Sequence, residues 1–426
     1  MAVNKNISDV EDYFAETILF QKKYDSLINC HLVDFFTDDL WDACLPEELK
    51  RDLKQKDCYN ITNINDLIQF GGTLHDSGIE KLFKEIESLS LHSYSNIVSR
   101  KEHLQQIHFQ KINFIDHLHC ELMKAKKWHE VETFTQTVTW LDKEQSNIII
   151  DAGAGKGYAS LHLANHFDRT VLAIECSQTN HDGAINHQKL TSKKKKIPLS
   201  NKIHYVVAEI TESTDFEQIV NRSFPNFSEN LIMTALHACG TLTDSVVTAF
   251  LKLSCAKSLC IVPCCYHLSV KSLSSIYEFS KNARMLAQQS TVKMKETQDH
   301  LSPSLFYRAI LQVFLKTAGY KNVRLGRNAP TTNFLTYAKW SLKKIKFPHV
   351  VTDSTLEELY ETFAEEEWKF RLFQLLRINI APVIEASIIL DKLLFIKNSK
   401  VCEELQLVQM FDSALSPRSW AIIAKK

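Results

Sequence analysis

Ile148-Ile149-Ile150-Asp151-Ala152-Gly153-Ala154-Gly155-Lys156-Gly157-Tyr158 decides how this chain folds. Three β-branched apolar residues read as the end of a buried strand. Three glycines at alternate positions then predict a tight turn. From Tyr158 onward, Leu161, Leu163, Ala164 and Phe167 stand at helical spacing. The stretch is strand, glycine loop and helix, which presents backbone N–H groups to a ligand at a helix N-terminus.

Three glycine-loop chemistries compete here. A phosphate-binding P-loop needs Ser or Thr directly after Gly-Lys, but Lys156 is followed by Gly157. A dinucleotide fingerprint counted from Gly153 needs its third glycine where Tyr158 stands. What remains, Asp-x-Gly-x-Gly-x-Gly after a strand, resembles motif I of the S-adenosylmethionine (SAM) methyltransferases. That resemblance implies that Gly153, Gly155 and Gly157 make room for the methionine part of SAM. It also implies that Asp151 positions the cofactor's amino group, directly or through water.

Outward from the loop, further apolar segments predict a doubly wound α/β sheet. They are Asn147–Asp151, Thr170–Glu175, Ile203–Ala208, Leu231–Leu236 and Ser258–Pro263. The C-terminal LQLVQMFDSALSPRSWAIIAKK reads as strand, turn at Ser416-Pro417, strand. A closing antiparallel hairpin after five parallel strands suits a class I (Rossmann-like) methyltransferase and not a nicotinamide-dependent dehydrogenase. The expected sheet has seven strands.

Residues 1–125 read as a helical N-terminal domain, with a long His-rich helix over Lys101–Lys124 that includes His103, His108, His117 and His119. Residues 126–267 and 376–426 form the expected methyltransferase domain, and 268–375 a helical insertion. Pro382 is placed at the start of the last long helix. Lys193 to Lys196 read as part of a solvated loop, with an RNA-backbone contact or a nuclear-import signal as the alternatives.

Composition narrows the partners. The 426 residues exceed one core and suit about two or three structural units. Fifty basic residues balance fifty acidic ones, so net charge does not point to wholesale nucleic-acid binding. Eleven cysteines, an odd number without a CxxC repeat, read as reduced thiols of cytosol or nucleus. The polar start has no apolar leader, and no apolar run reaches transmembrane length. A soluble cytoplasmic or nuclear protein is expected, with neither a membrane nor DNA as partner; oligomeric state is unreadable.

The chemistry-bearing residues fall at strand ends. Glu175 closes the second predicted strand, 24 residues after Asp151, where a carboxylate can accept both ribose hydroxyls. The fourth strand runs into Leu236-His237-Ala238-Cys239-Gly240 and the fifth into Pro263-Cys264-Cys265-Tyr266-His267. Neighbouring strands four and five would bring His237, Cys239, Cys264, Cys265 and His267 together at their carboxyl ends. Thiolates and imidazoles suit zinc. Adjacent cysteines, however, make poor tetrahedral geometry without a longer spacer, so no metal is assigned. Cys264 and Cys265 then read as small packing residues. His237 is the better chemical candidate, as a base or an orienter of the acceptor, opposite a plain structural hydrogen bond.

DAGAGKGY, LHACGTLTD, PCCYHLS, ARMLAQQS (Ala283–Ser290), SLFYRAILQ and ALSPRSWA, together with FFTDDLWDACLP and KKWHEV, resemble the methyltransferase-like protein 25 family across nearly the whole chain. That family includes proteins named for a ribosomal RNA adenine dimethylase domain. The resemblance implies SAM as cofactor, with Glu209, after strand three, meeting its adenine amino group. Adenine dimethylases carry Asn-Leu/Pro-Pro-Tyr/Phe after strand four; LHACG lacks both the Asn and the aromatic, which argues against adenine dimethylation. The same segments are also similar to the catalytic domain of eukaryotic tRNA acceptor-stem ribose methyltransferases. The expected function is methyl transfer from SAM to an intracellular macromolecule, RNA or protein. His237 and Tyr266 would face the acceptor, with Arg284 and Arg308 available to an acidic or phosphate-bearing substrate. The alternative is a catalytically inactive SAM-binding or scaffold protein; a nicotinamide-dependent oxidoreductase is the remaining class.

Overall fold

The computed structural model describes residues 10–53, 56–108, 123–143, 147–196, 198–225, 227, 230–298, 300–320, 323–326 and 328–426. Its central element is a sheet of eight described strands. These are β1 (Ile97–Val98), β2 (Asn147–Ala152), β3 (Val171–Glu175), β4 (Ile203–Val207), β5 (Asn230–Cys239), β6 (Ala256–Cys264), β7 (Glu404–Gln409) and β8 (Trp420–Lys425). Their spatial order is β1-β7-β8-β6-β5-β2-β3-β4. Strands β2 to β6 are parallel, and β8 runs antiparallel to both β6 and β7. This is the Rossmann-like methyltransferase arrangement with its closing hairpin.

The expected seven strands are joined by an eighth. Ile97 and Val98 pair parallel with Leu407 and Val408 on β7. An edge strand leaves unpaired backbone N–H and C=O groups, and a two-residue β-branched segment is enough to cover part of that edge.

The order of strands reverses between β5 and β2, so a crevice opens at their carboxyl ends, where ligands bind in open α/β sheets. Beneath it, Phe134 and Val138 from the helix Ala125–Leu141 pack with Ile149, Ile232, Val262, Phe411 and Ile423 in one buried cluster. Near-continuous burial along β2 and β3 is what a central parallel strand covered on both faces requires.

The expected three-part division becomes two compact units. One comprises residues 1–15, 94–279 and 386–426 and contains the sheet. The other comprises 16–93 and 280–385 and is built of helices. The N-terminal helices and the expected insertion thus share one unit. Phe35 shows why: its ring meets those of Phe370 and Phe373 edge-on, with centroids 5.2 and 5.3 Å apart. Segments far apart in sequence bury one aromatic core.

Three local expectations are corrected. Pro382 does not open a helix but lies inside Glu367–Ser399. Ile378, Ile380, Ala381 and Val383 around it are all buried, and packing of that kind outweighs the lost hydrogen bond at proline. Lys193 to Lys195 are not loop but the last turn of the helix Gln178–Lys195, which Lys196 ends in a left-handed conformation. Cations suit a helix C-terminus. The His-rich helix is present as Arg100–His108; the part over 109–122, with His117 and His119, lies outside the described residues. His103 is a satisfied core histidine, with Nε2 2.8 Å from Thr137 Oγ1.

Candidate cofactor and acceptor site

The glycine loop follows β2 as expected. Gly153, Gly155 and Gly157 all have positive φ, at 73°, 56° and 67°. A Cβ at Gly153 would meet Leu242 at 2.7 Å, whereas one at Gly155 would meet nothing within 4 Å. The backbone at Gly155 therefore borders open space, which a ligand can approach closely.

Glu175, at the end of β3, holds this loop. Its Oε2 accepts a hydrogen bond from Gly155 N at 2.8 Å, and its Oε1 accepts from Ser177 N at 2.8 Å. Asn180 Nδ2 and Cys176 Sγ also approach Oε1, at 3.5 and 3.6 Å, whereas Oε2 has Gly155 N as its one donor among the described residues and keeps capacity for a ligand hydroxyl. Asp151 sits below the loop, buried, accepting from the Ser160 hydroxyl. Burial pushes its carboxyl pKa up, against the pull of the Ser160 hydrogen bond and the Lys127 charge. A cationic ligand group would offset that cost of burial. Glu209 lies two residues beyond β4 and is exposed.

Tyr205 on β4 was not singled out from sequence. Its hydroxyl is buried without a hydrogen-bond partner among the described residues and lies 3.6 Å from where a Gly157 Cβ would be. An orphaned hydroxyl beside this loop is a polar group suited to a bound cofactor. Tyrosine in IHYVV reads as an ordinary strand former, so no sequence signal marks it.

The neighbouring part of the crevice is built where β5 outruns its expected end. Pairing with β6 slips between Ala235 and Ala238, and His237 sits in that irregularity with φ of 60°. Its Nε2 lies 3.1 Å from Oε2 of Glu130 on the helix Ala125–Leu141. The Ser416 hydroxyl donates to Glu130 Oε1 at 2.6 Å. Ser416, Glu130 and His237 thus form one chain of contacts that fixes the imidazole, and the Cys264 thiol interacts with the same ring. Burial opposes the imidazolium, but Cys264 and Glu130 outweigh it and raise the His237 pKa. Glu130 and Ser416 lie in KKWHEV and ALSPRSWA, yet neither segment hints at the contact.

Glu130 makes the site acid-sensitive. Burial pushes its carboxyl up, but the His237 hydrogen bond and charge, then Ser416 and Lys126, pull it down to about 2. A depressed carboxylate stabilises the fold above its unfolded pKa and loses that contribution as pH falls through the folded value. We therefore expect Glu130→Gln to cost about 2–3 kcal/mol at neutral pH. In urea titrations the gap from wild type should narrow as pH drops from about 5 toward about 2. A gap that stays constant over that window would contradict the assignment.

Tyr266 is not presented to an acceptor. It is buried in the short turn Tyr266–Leu268, with the Arg418 guanidinium 5.2 Å from its ring centroid. Arg308 is also buried and donates through Nη2 to the Val323 carbonyl at 3.1 Å.

The cysteines do not pack as a core. Cys239 Sγ lies 3.4 Å from Cys265 Sγ, and Cys264 Sγ lies 3.6 Å from Cys265 Sγ. Cys239 is exposed and the other two are half-buried. A hydrogen bond from the Cys239 thiol pulls the Cys264 pKa down against the effect of burial, with His237 adding to the pull; Cys239 moves the opposite way.

Residues 126–271 match a family model described as a methyltransferase domain. The chain is 28% identical over 279 residues to a Homo sapiens protein named probable methyltransferase-like protein 25, across 59% of this chain and 44% of that one. It is 29% identical over 227 residues to the Mus musculus protein of the same name, across 46% and 38%. The chain thus spans less than half the length of these curated relatives, which support the family resemblance. A crystal structure of coclaurine N-methyltransferase bound to N-methylheliamine and SAH aligns over 97% of this chain and 100% of that one. Its sequence identity is 11% and its TM-score 0.26. The domain match and the loop geometry fit S-adenosyl-L-methionine as the cofactor. No described helix is long and apolar enough to cross a membrane.

Proposed function

We propose that this protein transfers a methyl group from SAM to a nucleophile on an intracellular macromolecule, RNA or protein, seated at the carboxyl ends of β5 and β6. The observation that carries this is the Glu175 carboxylate bonded to the Gly155 N–H, beside open space at the switch point of the sheet. SAM supplies an electrophilic methyl on a sulfonium. Glu175 would accept the ribose hydroxyls, the Gly153–Gly157 backbone would border the methionine part, and buried Asp151 would stabilise its ammonium. Glu209 would reach the adenine edge. The protein then has to hold acceptor and methyl in near-attack geometry. His237, held by Glu130 and Ser416, would orient the acceptor and take part in its proton balance.

Labelled SAM incubated with wild-type protein and cell extract should mark one class of macromolecule. Nuclease or protease sensitivity of the label then decides between RNA and protein. Asp151→Ala should abolish the labelling. Labelling unaffected by Asp151→Ala would overturn the reading, and SAM binding without any transfer would favour the inactive scaffold.

A further inference from the structure

We infer that Cys239, Cys264 and Cys265 form a three-thiolate zinc site with an open fourth position, at the carboxyl ends of β5 and β6 beside His237. All three sulfurs lie within 4.8 Å of one another, and two of the separations are 3.4 and 3.6 Å. A tetrahedral zinc with Zn–S bonds of about 2.3 Å needs sulfurs about 3.8 Å apart. The two separations of 3.4 and 3.6 Å are each within a few tenths of an ångström of that spacing.

The spacing objection to adjacent cysteines disappears in the structure. In an extended chain neighbouring side chains point to opposite faces. Cys265 instead has φ of 48°, in the left-handed region, and this breaks the alternation so that both sulfurs converge. Cys239 is delivered from the next strand, directly opposite Cys264 in the register that follows the slip in β5. Gly240 holds the two strands together by donating N–H to the Cys264 carbonyl at 3.0 Å. A Cβ on Gly240 would lie 2.8 Å from the Leu268 carbonyl carbon, so only glycine fits there. Two non-glycine residues with positive φ, His237 and Cys265, in one small site are the kind of strain that persists where function requires it.

Three soft sulfur donors select zinc over magnesium or calcium. Among the described residues no further His, Cys, Asp or Glu has a ligand atom within 4.8 Å of all three sulfurs. Structural zinc sites are closed by four protein ligands, whereas sites with three keep one position for water or substrate. Cys239 is exposed, which leaves that position reachable. An ion there would act as a Lewis acid on whatever occupied it, lowering the pKa of a bound water, hydroxyl or thiol. This inference does not depend on SAM binding.

The test uses the full chain, produced in zinc-supplemented medium and purified with a reductant and no chelator. Elemental analysis should find about one zinc per chain, released by an organomercurial. Cobalt substitution of the unaltered protein should give a thiolate-to-cobalt charge-transfer band and the intense visible bands of a tetrahedral ion, which reports sulfur ligation whether or not a variant folds. Cys239→Ser and Cys265→Ser should each lower zinc affinity at least tenfold, while Cys402→Ser should leave it unchanged. Protein that holds no metal, or Cys239→Ser protein that keeps a full equivalent with the same cobalt spectrum, would overturn the proposal. So would a Cys239–Cys265 disulfide in the reduced preparation. SAM titration of the same samples separates failure of this site from failure of the cofactor pocket.

Discussion

Glu175→Ala should reduce SAM affinity by at least a hundredfold in calorimetric titration, with the demethylated product affected alongside. Each hydrogen bond to a charged group contributes roughly 1.5–3 kcal/mol, so losing two removes about 3–6 kcal/mol, or some two to four orders of magnitude in Kd. The alanine also removes the acceptor for Gly155 N–H and Ser177 N–H, so the loop itself loses its anchor. Glu175→Gln keeps one acceptor oxygen and should lose about tenfold, which separates ribose recognition from loop collapse. Equal affinity in wild type and alanine variant would place the cofactor elsewhere.

Lys392→Met should lower the melting temperature of the protein by on the order of 10 °C. Lys392 Nζ lies 2.8 Å from Asp244 Oδ1, and both side chains are nearly inaccessible, at 3% and 4%. Asp244 lies in the helix Thr241–Lys252 that follows Gly240, and Lys392 in the helix Glu367–Ser399. Removing one partner of such a pair leaves a buried charge uncompensated and costs about 3–5 kcal/mol. At about 2–4 °C per kcal/mol for a unit of this size, the shift is readily measured. Burial already pushes the Asp244 carboxyl up against the pull of Lys392, so protonation would absorb part of the loss. The double variant Asp244→Leu/Lys392→Met should recover most of the stability, because a well-packed apolar pair carries no desolvation penalty. An unchanged melting temperature for Lys392→Met would show that the pair contributes nothing net. The adjacent Asp391 is a second buried carboxylate with a different role. It accepts from the Leu273 and Ser274 backbone N–H groups and from the Ser274 hydroxyl.

Much of the sheet was legible because its signals are local. Runs such as Ile148–Ile150 and Leu231–Ala235 are apolar over a whole strand length, which only a strand buried on both faces tolerates. The alternate glycines mark the loop because few other residues adopt positive φ at low cost, and all three do adopt it. Glu175 could be picked out from its place at the end of a strand, and the structure sets it against the loop. Pro382 and the run from Lys193 misled for a matching reason. Local preference favours a helix start at proline and a loop at a lysine run, and burial of the surrounding helix and favourable end charges overrode both.

The site's chemistry was of another kind. Glu130, His237 and Ser416 lie 107 and 179 residues apart along the chain, and no periodicity links them. The convergence of Cys239, Cys264 and Cys265 depends on a slip between β5 and β6 and on a left-handed cysteine, features that residue type does not announce. Tyr266 and Arg308 looked available and proved buried, because which face of a short turn or helix points inward depends on what packs against it. Hydrophobic period and glycine placement, written in neighbouring residues, were sufficient for the layered sheet and its cofactor loop. Partners, strain and burial at the carboxyl ends of β5 and β6 arise only when distant segments share one space, and so belonged to the tertiary structure.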